Sequence, residues 1–151
     1  MFDKFSENSK VWIYPSNRIL STDDEKVIRK HLEEFTKKWN AHGSPVKGTF
    51  EIYKSNFIVL VADETQSAVS GCSIDSSVKT VKTIGNELKI DFFNRLLIVI
   101  EKDGEIKRVT LDNISNEIGA FIYDTSVSNL YDFRTKFKIP QEVYLERFIV
   151  K

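Results

Sequence analysis

The sequence predicts an α+β fold with a ferredoxin-like split βαβ core, in the order β-α-β-β-α-β, and an extra C-terminal hairpin strand and helices. Two observations indicate this order. Runs rich in β-strand formers alternate with segments whose apolar residues recur at helical spacing, and two turn signals of the hairpin type separate pairs of strands. A third observation is size, because 151 residues without a repeat or a Pro/Gly/Ser linker predict a single domain over residues 1–151.

The first strand and the first helix have clear local signals. Val11–Tyr14 is rich in strand formers, and Pro15 stops the strand. Thr22 and Glu25 have the spacing of a capping box, which predicts a helix from about Thr22 to Trp39. Apolar residues recur at helical spacing and define its buried stripe: Ile28, Leu32, Phe35 and Trp39.

A hairpin and a second helix follow. Thr49–Tyr53 and Phe57–Ala62 are β-rich runs separated by Lys54-Ser55-Asn56, which predicts a hairpin. The second run is continuously apolar, as is typical of a central strand. After a polar loop, the chain predicts a helix capped by Ser73. Its buried stripe consists of Ile74, Val78, Val81, Ile84 and Leu88.

The second half of the chain contains another hairpin and weaker signals. Leu96–Ile100 and Ile106–Leu111 flank Asp103-Gly104, a pair that favours a mirror-image turn because both of its central residues need positive φ. Further along, the sequence predicts a short strand, a helix and a terminal turn or helix, over Phe121–Tyr123, Ser128–Phe137 and Gln141–Phe148.

The predicted topology assigns the connecting loops to two edges of the sheet. Right-handed crossovers make the first strand parallel to the second, and the third parallel to the fourth. We therefore expect the loop with His42 and the start of the second helix, with Cys72, at one edge. The turn with Asn17 and Arg18 and the approach to the fourth strand, at Asp91, are expected at the other.

Composition excludes several classes of function. Twenty-two Lys and Arg balance 22 Asp and Glu, so the chain lacks the surplus charge of a nucleic-acid binder or a membrane-surface protein. No metal-ligand constellation occurs, and no cofactor is expected. A single cysteine, with neither a signal peptide nor an apolar run of membrane length, predicts a cytoplasmic location.

The start of the second helix is the first candidate site. Helix amino termini present unpaired N–H groups and partial positive charge, which hold an anion or favour a thiolate. Ser70, Gly71, Ser73 and Ser76 surround Cys72 there, and the glycine lets the backbone turn closely. The alternative is structural, since serine caps helices and a lone cysteine is often a small buried hydrophobe.

Cys72 and His42 are also a candidate catalytic pair. A cysteine with a histidine is the minimum set for thiol nucleophilic catalysis, in which the imidazole takes the thiol proton. The predicted topology brings both residues to one edge of the sheet. The alternative is a loop histidine that is only hydrogen-bonded.

The turn after the first strand is a candidate anion site. The guanidinium of Arg18, next to Asn17, can bind a carboxylate or a phosphate through its planar fork. The structural alternative is an ion pair between Arg18 and Asp91, with Arg95 as a second member of that network.

Four strings in the sequence stand out together: Tyr14-Pro-Ser-Asn-Arg18, Trp39-Asn-Ala-His-Gly43, Ser70-Gly-Cys-Ser-Ile-Asp-Ser-Ser77 and Asp91-Phe-Phe-Asn-Arg95. They resemble a family of short bacterial proteins often labelled "ABC transporter ATPase". The similarity runs from Trp12 to about Arg95 and returns near Tyr123-Asp124 and Ile139-Pro140. The label implies ATP hydrolysis, but the chain has no Gly-x4-Gly-Lys-Ser/Thr loop, so a Walker-type ATPase is not expected.

Three interpretations of function stay open. The first, which we favour, is a binding module for a small anionic ligand or a protein partner at the loop edges. The second is a thiol-dependent transferase or hydrolase with Cys72 as nucleophile and His42 as base. The third is an assembly protein whose exposed strand pairs with another chain.

Overall fold

The computed structural model describes residues 2–41, 43–64 and 71–148, and for residues 71 and 72 it describes the backbone alone. Within these residues the fold is mixed α+β, as predicted. The strands are β1 Lys10–Pro15, β2 Asn40–Ala41, β3 Ser44–Pro45, β4 Lys47–Tyr53, β5 Phe57–Asp63, β6 Leu97–Lys102, β7 Glu105–Thr110, β8 Phe121–Tyr123 and β9 Lys138–Pro140. The helices are α1 Thr22–Lys38, α2 Gly71–Leu88, α3 Leu130–Lys136 and α4 Gln141–Leu145, with 3₁₀ turns at Leu111–Asn116 and Glu146–Phe148.

The first sheet consists of β1, β5 and β4, in that order, and both pairings are antiparallel. Val59 of β5 lies opposite Ile13 of β1 on one side and Glu51 of β4 on the other. Every residue of β5 is buried, which confirms that this strand is central. β1 and β4 consequently run in the same direction, as the predicted crossover requires.

The second sheet consists of β7, β6, β8 and β9, and all its pairings are antiparallel. β6, the fourth strand of the predicted order, pairs with β7 and β8 and lies in a different sheet from β1. The complete ferredoxin-like order is therefore not confirmed in the described residues. Periodicity identifies a strand but not its partner, and the C-terminal strand β8 supplies that partner.

The capping box of α1 differs from the prediction by one residue. Ser21 Oγ accepts the Asp24 N–H at 3.0 Å, and the Asp24 carboxylate accepts the Ser21 N–H at 2.8 Å. Ser21 has the extended backbone of a cap, with φ −77° and ψ 169°, whereas Thr22 is already helical. The predicted box of Thr22 with Glu25 is therefore wrong, although the helix begins where expected.

The way in which the chain leaves α2 requires a glycine at position 85, in the last turn of the helix. Lys89 adopts a left-handed conformation, with φ +56°, and the Ile90 N–H donates to the Gly85 carbonyl oxygen at 2.9 Å. A Cβ on Gly85 would lie 2.6 Å from the Ile90 carbonyl oxygen. Only glycine at position 85 therefore leaves room for the Ile90 carbonyl to pack against the last turn of α2.

Two cores lie on opposite faces of the first sheet, because side chains along β5 alternate. Ile58 and Leu60 pack with α1 and α2 in the first core. Phe57, Val59 and Val61 pack with α3 and the second sheet in the other core. The aromatic rings of this second core have centroids between 5.0 and 6.3 Å apart, and they belong to Tyr53, Phe57, Tyr123, Phe133 and Phe137.

Candidate functional site

The start of α2 contains the residues predicted to carry thiol chemistry. α2 begins at Gly71, so Cys72 lies in its first turn and Ser73 is already helical. The predicted capping role of Ser73 is therefore wrong. His42, Ser70 and the side chain of Cys72 lie outside the described residues. The catalytic pair of Cys72 and His42 therefore stays a prediction.

Ser73 and Ser76 lie in different environments. Ser73 is 1% exposed, and its carbonyl oxygen accepts the Trp39 Nε1–H at 3.0 Å. The Trp39 ring reaches this position across Gly48, where an added Cβ would lie 2.5 Å from the ring. Ser76 is exposed to solvent. Trp39 thus anchors the start of α2 to β4.

The turn after β1 meets the segment before β6, as predicted. Asn17 Oδ1 accepts the Asp91 N–H at 3.1 Å. Arg18, however, forms its ion pair with Asp24, at 2.5 Å between a terminal guanidinium nitrogen and Oδ2, so the predicted pair with Asp91 is wrong. Among the described residues Arg95 forms no ion pair with Asp91 either, and the Asp91 carboxylate accepts the Phe93 N–H at 2.8 Å instead.

Arg18 joins the turn to both long helices. Its guanidinium also donates to the carbonyl oxygens of Ile19, at 3.1 Å, and of Leu88, at 3.2 Å. Leu88 is the last residue of α2, where the helix dipole favours a cation. The hydrogen bond from Arg18 is the main reason why the pKa of Asp24 is lowered to about 2. Arg18 is thus engaged by the protein's own acceptors.

A groove of about 740 Å³ lies between the two sheets, at a place that the sequence does not predict. β1 and α2 line one side of it, and β6 with the segment before it lines the other. Residues 124–126 and the end of the described chain complete its wall. Its polar and aromatic wall residues include Tyr14, Lys82, Phe93, Arg95, Asp124 and Arg147.

The groove has an excess of positive charge. Lys82 and Arg95 line it, and neither has an acidic partner in the described part of the chain. The Lys82 Nζ lies 5.5 Å from the centroid of the Phe93 ring, which is a cation–π distance. Asp124 is the one acid among the described wall residues, and Arg147 pairs with it at 2.5 Å. Within the described ranges, two cations of the groove are therefore without an acidic partner.

Hydrogen bonds to Asp124 fix the conformation of residues 124–126, which border the groove. Its carboxylate accepts the Ser126 N–H at 3.0 Å and the Ser126 hydroxyl at 2.6 Å, in addition to Arg147. Burial is the largest single influence and raises the pKa of Asp124, but the hydrogen bonds from Arg147 and Ser126 together outweigh it and lower the pKa. The carboxylate therefore stays ionised and keeps this segment in place.

An aromatic pair provides the apolar part of the wall. The Tyr14 and Phe93 rings meet edge to face with centroids 5.5 Å apart. Burial raises the pKa of Tyr14, so its phenol is neutral near pH 7. Phe93 is 36% exposed at the mouth of the groove. Apolar surface and positive charge thus lie side by side.

Sequence reasoning misses this site because its cations are separated along the chain. Lys82 lies on the polar face of α2, where a solvated lysine is ordinary, and Arg95 is assigned to a network with Asp91. One usable signal is present: the segment from Asp91 to Arg95 places the aromatic residues Phe92 and Phe93 beside a cation, within one of the four strings that stand out.

Two negative findings apply to the described residues. No group of three or more His, Cys, Asp or Glu side chains there is placed to hold a metal ion. None of the helices described combines the length and the apolar character needed to cross a bilayer. Comparison of the chain with family models, curated proteins and solved structures finds no match, so the resemblance of the four strings stays a prediction.

Proposed function

We propose that the protein is a binding module for a small anionic ligand, which the groove between the sheets holds through Lys82 and Arg95. The observation that supports this is the absence of an acidic partner for either cation within the described chain. Lys82 and Arg95 are both exposed where they line the groove. Ammonium and guanidinium groups bind carboxylates and phosphates through charge-assisted hydrogen bonds.

The aromatic wall narrows the ligand class. Tyr14 and Phe93 offer apolar surface next to Lys82, so the ligand combines an acidic group with an apolar or aromatic part. The volume of about 740 Å³ lies within the range of small-molecule sites.

A ligand screen by thermal unfolding tests the proposal, with nucleotides, inorganic phosphates and aromatic carboxylates as the three panels. A ligand present at a hundred-fold excess over its Kd raises the free energy of unfolding by about 2.7 kcal/mol. We therefore expect a rise in Tm of roughly 5 to 10 °C for a chain of this size.

Variants connect that shift to the groove. Lys82→Ala and Arg95→Ala are each expected to weaken binding about ten-fold or more, since each removes one charge-assisted hydrogen bond. Lys79→Ala is the matched control, because Lys79 is exposed on the same helix and does not line the groove. No shift with any panel, or equal binding by all three variants, would contradict the proposal.

The second candidate is a thiol-dependent enzyme with Cys72 as nucleophile and His42 as base. The observation in its favour is that Cys72 lies in the first turn of α2, where the partial positive charge of a helix start favours a thiolate. It predicts rapid alkylation of native Cys72 near neutral pH, slowed in His42→Ala. A thiol that reacts only after denaturation would end this candidate.

We further infer that β1, α1, β4, β5 and α2 correspond to the first five elements of a ferredoxin-like fold. The order β1-β5-β4 and the shared direction of β1 and β4 support this. On this view, the position beside β1 that belongs to a fourth strand is not taken by β6.

A further inference from the structure

β1 is an edge strand of the first sheet. Its ladder with β5 continues to Ser16, whose N–H donates to the Asn56 carbonyl oxygen at 2.9 Å. Because alternate residues of an antiparallel strand direct their backbone groups to opposite sides, Ile13 and Val11 direct theirs away from β5. Val11 agrees with this, since its N–H donates to the Ser128 carbonyl oxygen at 3.0 Å.

The outward groups of Ile13 have no partner among the described residues. Residues 128–130 cover only the first part of the edge, through Val11 and through the Leu130 N–H, which donates to the Ser9 carbonyl oxygen at 3.0 Å. Beyond that point the Ile13 N–H and carbonyl and the Val11 carbonyl accept or donate no backbone hydrogen bond within the described part of the chain. Such a row of backbone groups is a template for an additional strand.

Two cavities lie against this unpaired edge. Ile13 and Tyr14 line both the groove of about 740 Å³ and a second cavity of about 700 Å³. Thr125 and Ser126 also line both, so the two cavities follow one another along β1. A strand that pairs with β1 needs a centre about 4.8 Å away, and this space is where it would lie.

We propose that this edge binds an extended acidic peptide of a partner protein, which adds to the first sheet as a strand hydrogen-bonded to Ile13. This inference rests on the proposed function, because the acidic side chains of the peptide are the anions that Lys82 and Arg95 bind. Charge complementarity selects an acidic peptide over a second copy of this chain, since a second copy brings the same two cations to the groove.

The test measures backbone hydrogen exchange by NMR in the full chain with a capped synthetic peptide of alternating valine and glutamate. Exchange of the Ile13 amide is expected to slow about ten-fold at saturation, the effect of one added hydrogen bond. The Trp12 amide faces β5 and serves as the internal control. The same peptide with lysine for glutamate is expected to bind at least about ten-fold more weakly.

Ile13→Pro removes the outward N–H and leaves the ladder with β5 intact, because proline is tolerated on the solvent side of an edge strand. We expect this variant to bind the glutamate peptide about ten-fold more weakly, whereas Ile13→Val, which keeps the N–H, binds as the wild type does. If Ile13→Pro does not fold, a peptide N-methylated at alternate residues applies the same test to the wild-type chain and is expected to bind about ten-fold more weakly.

The outcomes separate the two proposals. Small anions that bind through Lys82 and Arg95, with no peptide-dependent protection of Ile13, would overturn strand addition and leave the proposed function standing. No binding of any anion or peptide would overturn both. Protection of Ile13 that rises with protein concentration in the absence of peptide would place a second copy at the edge and overturn the acidic-peptide assignment.

Discussion

At the scale of single residues, Asp24 serves two hydrogen-bonding roles at once. Its carboxylate accepts the Ser21 N–H in the capping box and also accepts from Arg18. The residue is 7% exposed, so a carboxylate at this position depends on both partners. The start of α1 is therefore sensitive to the ionisation of one side chain.

Asp24 predicts a specific acid sensitivity. Its pKa is lowered to about 2, chiefly by Arg18, below an unfolded value of about 3.9. A carboxylate shifted downward stabilises the fold fully above the unfolded pKa and loses that contribution as pH falls toward 2. Asp24→Asn should thus lower stability near pH 7 by about 1 kcal/mol and flatten the decline between pH 4 and pH 2.

Urea unfolding between pH 2 and pH 7 measures this difference. Asp23→Asn is the matched control, since it removes the same charge from the same turn of α1 at an exposed position. It should retain the wild-type acid dependence. Identical pH profiles for both variants would show that Asp24 does not contribute as its contacts imply.

At the scale of elements, the two hairpin turns reach left-handed backbone by different routes. Asp103 and Gly104 have φ +53° and +80°, the mirror-image turn that their sequence predicts. Lys54 and Ser55 have φ +50° and +54° without glycine or asparagine. Tertiary contacts hold the Lys54–Ser55 turn, and one of them is the hydrogen bond that Ser55 Oγ donates to Glu25 of α1 at 3.0 Å. The φ preferences of its own residues form the Asp103–Gly104 turn, whereas tertiary contacts impose the conformation of the Lys54–Ser55 turn.

The positive φ of Gly104 predicts how substitutions in this turn change stability. Gly104→Ala should lower the free energy of unfolding by about 1 to 2 kcal/mol, because a Cβ is strained at positive φ. Gly104→Asn should cost less, since asparagine tolerates this conformation. Nothing lies within 4 Å of the added Cβ, so a steric clash does not contribute. Chemical denaturation measures both variants, and equal losses would contradict the explanation.

At the scale of the whole molecule, Arg108 joins the second sheet to the first. It projects from β7, donates to the Ser16 carbonyl oxygen at 2.9 Å and also donates to Asn56 Oδ1. No carboxylate among the described residues pairs with it, and burial lowers the pKa of its guanidinium. One half-buried cation therefore connects β7, the end of β1 and the β4–β5 turn.

Arg108→Met is expected to lower the free energy of unfolding by about 2 kcal/mol, because it removes two hydrogen bonds from a charged donor. Lys107→Met, at the neighbouring exposed position, should cost about 0.5 kcal/mol, since Lys107 is exposed in its 3.2 Å ion pair with Glu117 and Lys102 still pairs with that carboxylate. Urea unfolding at pH 7 compares the two. A loss for Lys107→Met as large as that for Arg108→Met would refute the joining role of Arg108.

Sequence patterns alone correctly predict the local elements: the stripe of α1 around Ile28 and Leu32, the buried strand β5 and the Asp103–Gly104 turn. These depend on hydrophobic period and on φ preferences within a few neighbouring residues. Three features are visible only in the folded chain: the partners of β6, the ion pair of Arg18 with Asp24, and the groove that Lys82 and Arg95 share. Those features depend on distances between residues far apart in the chain, and periodicity contains no information about which sheet edges meet.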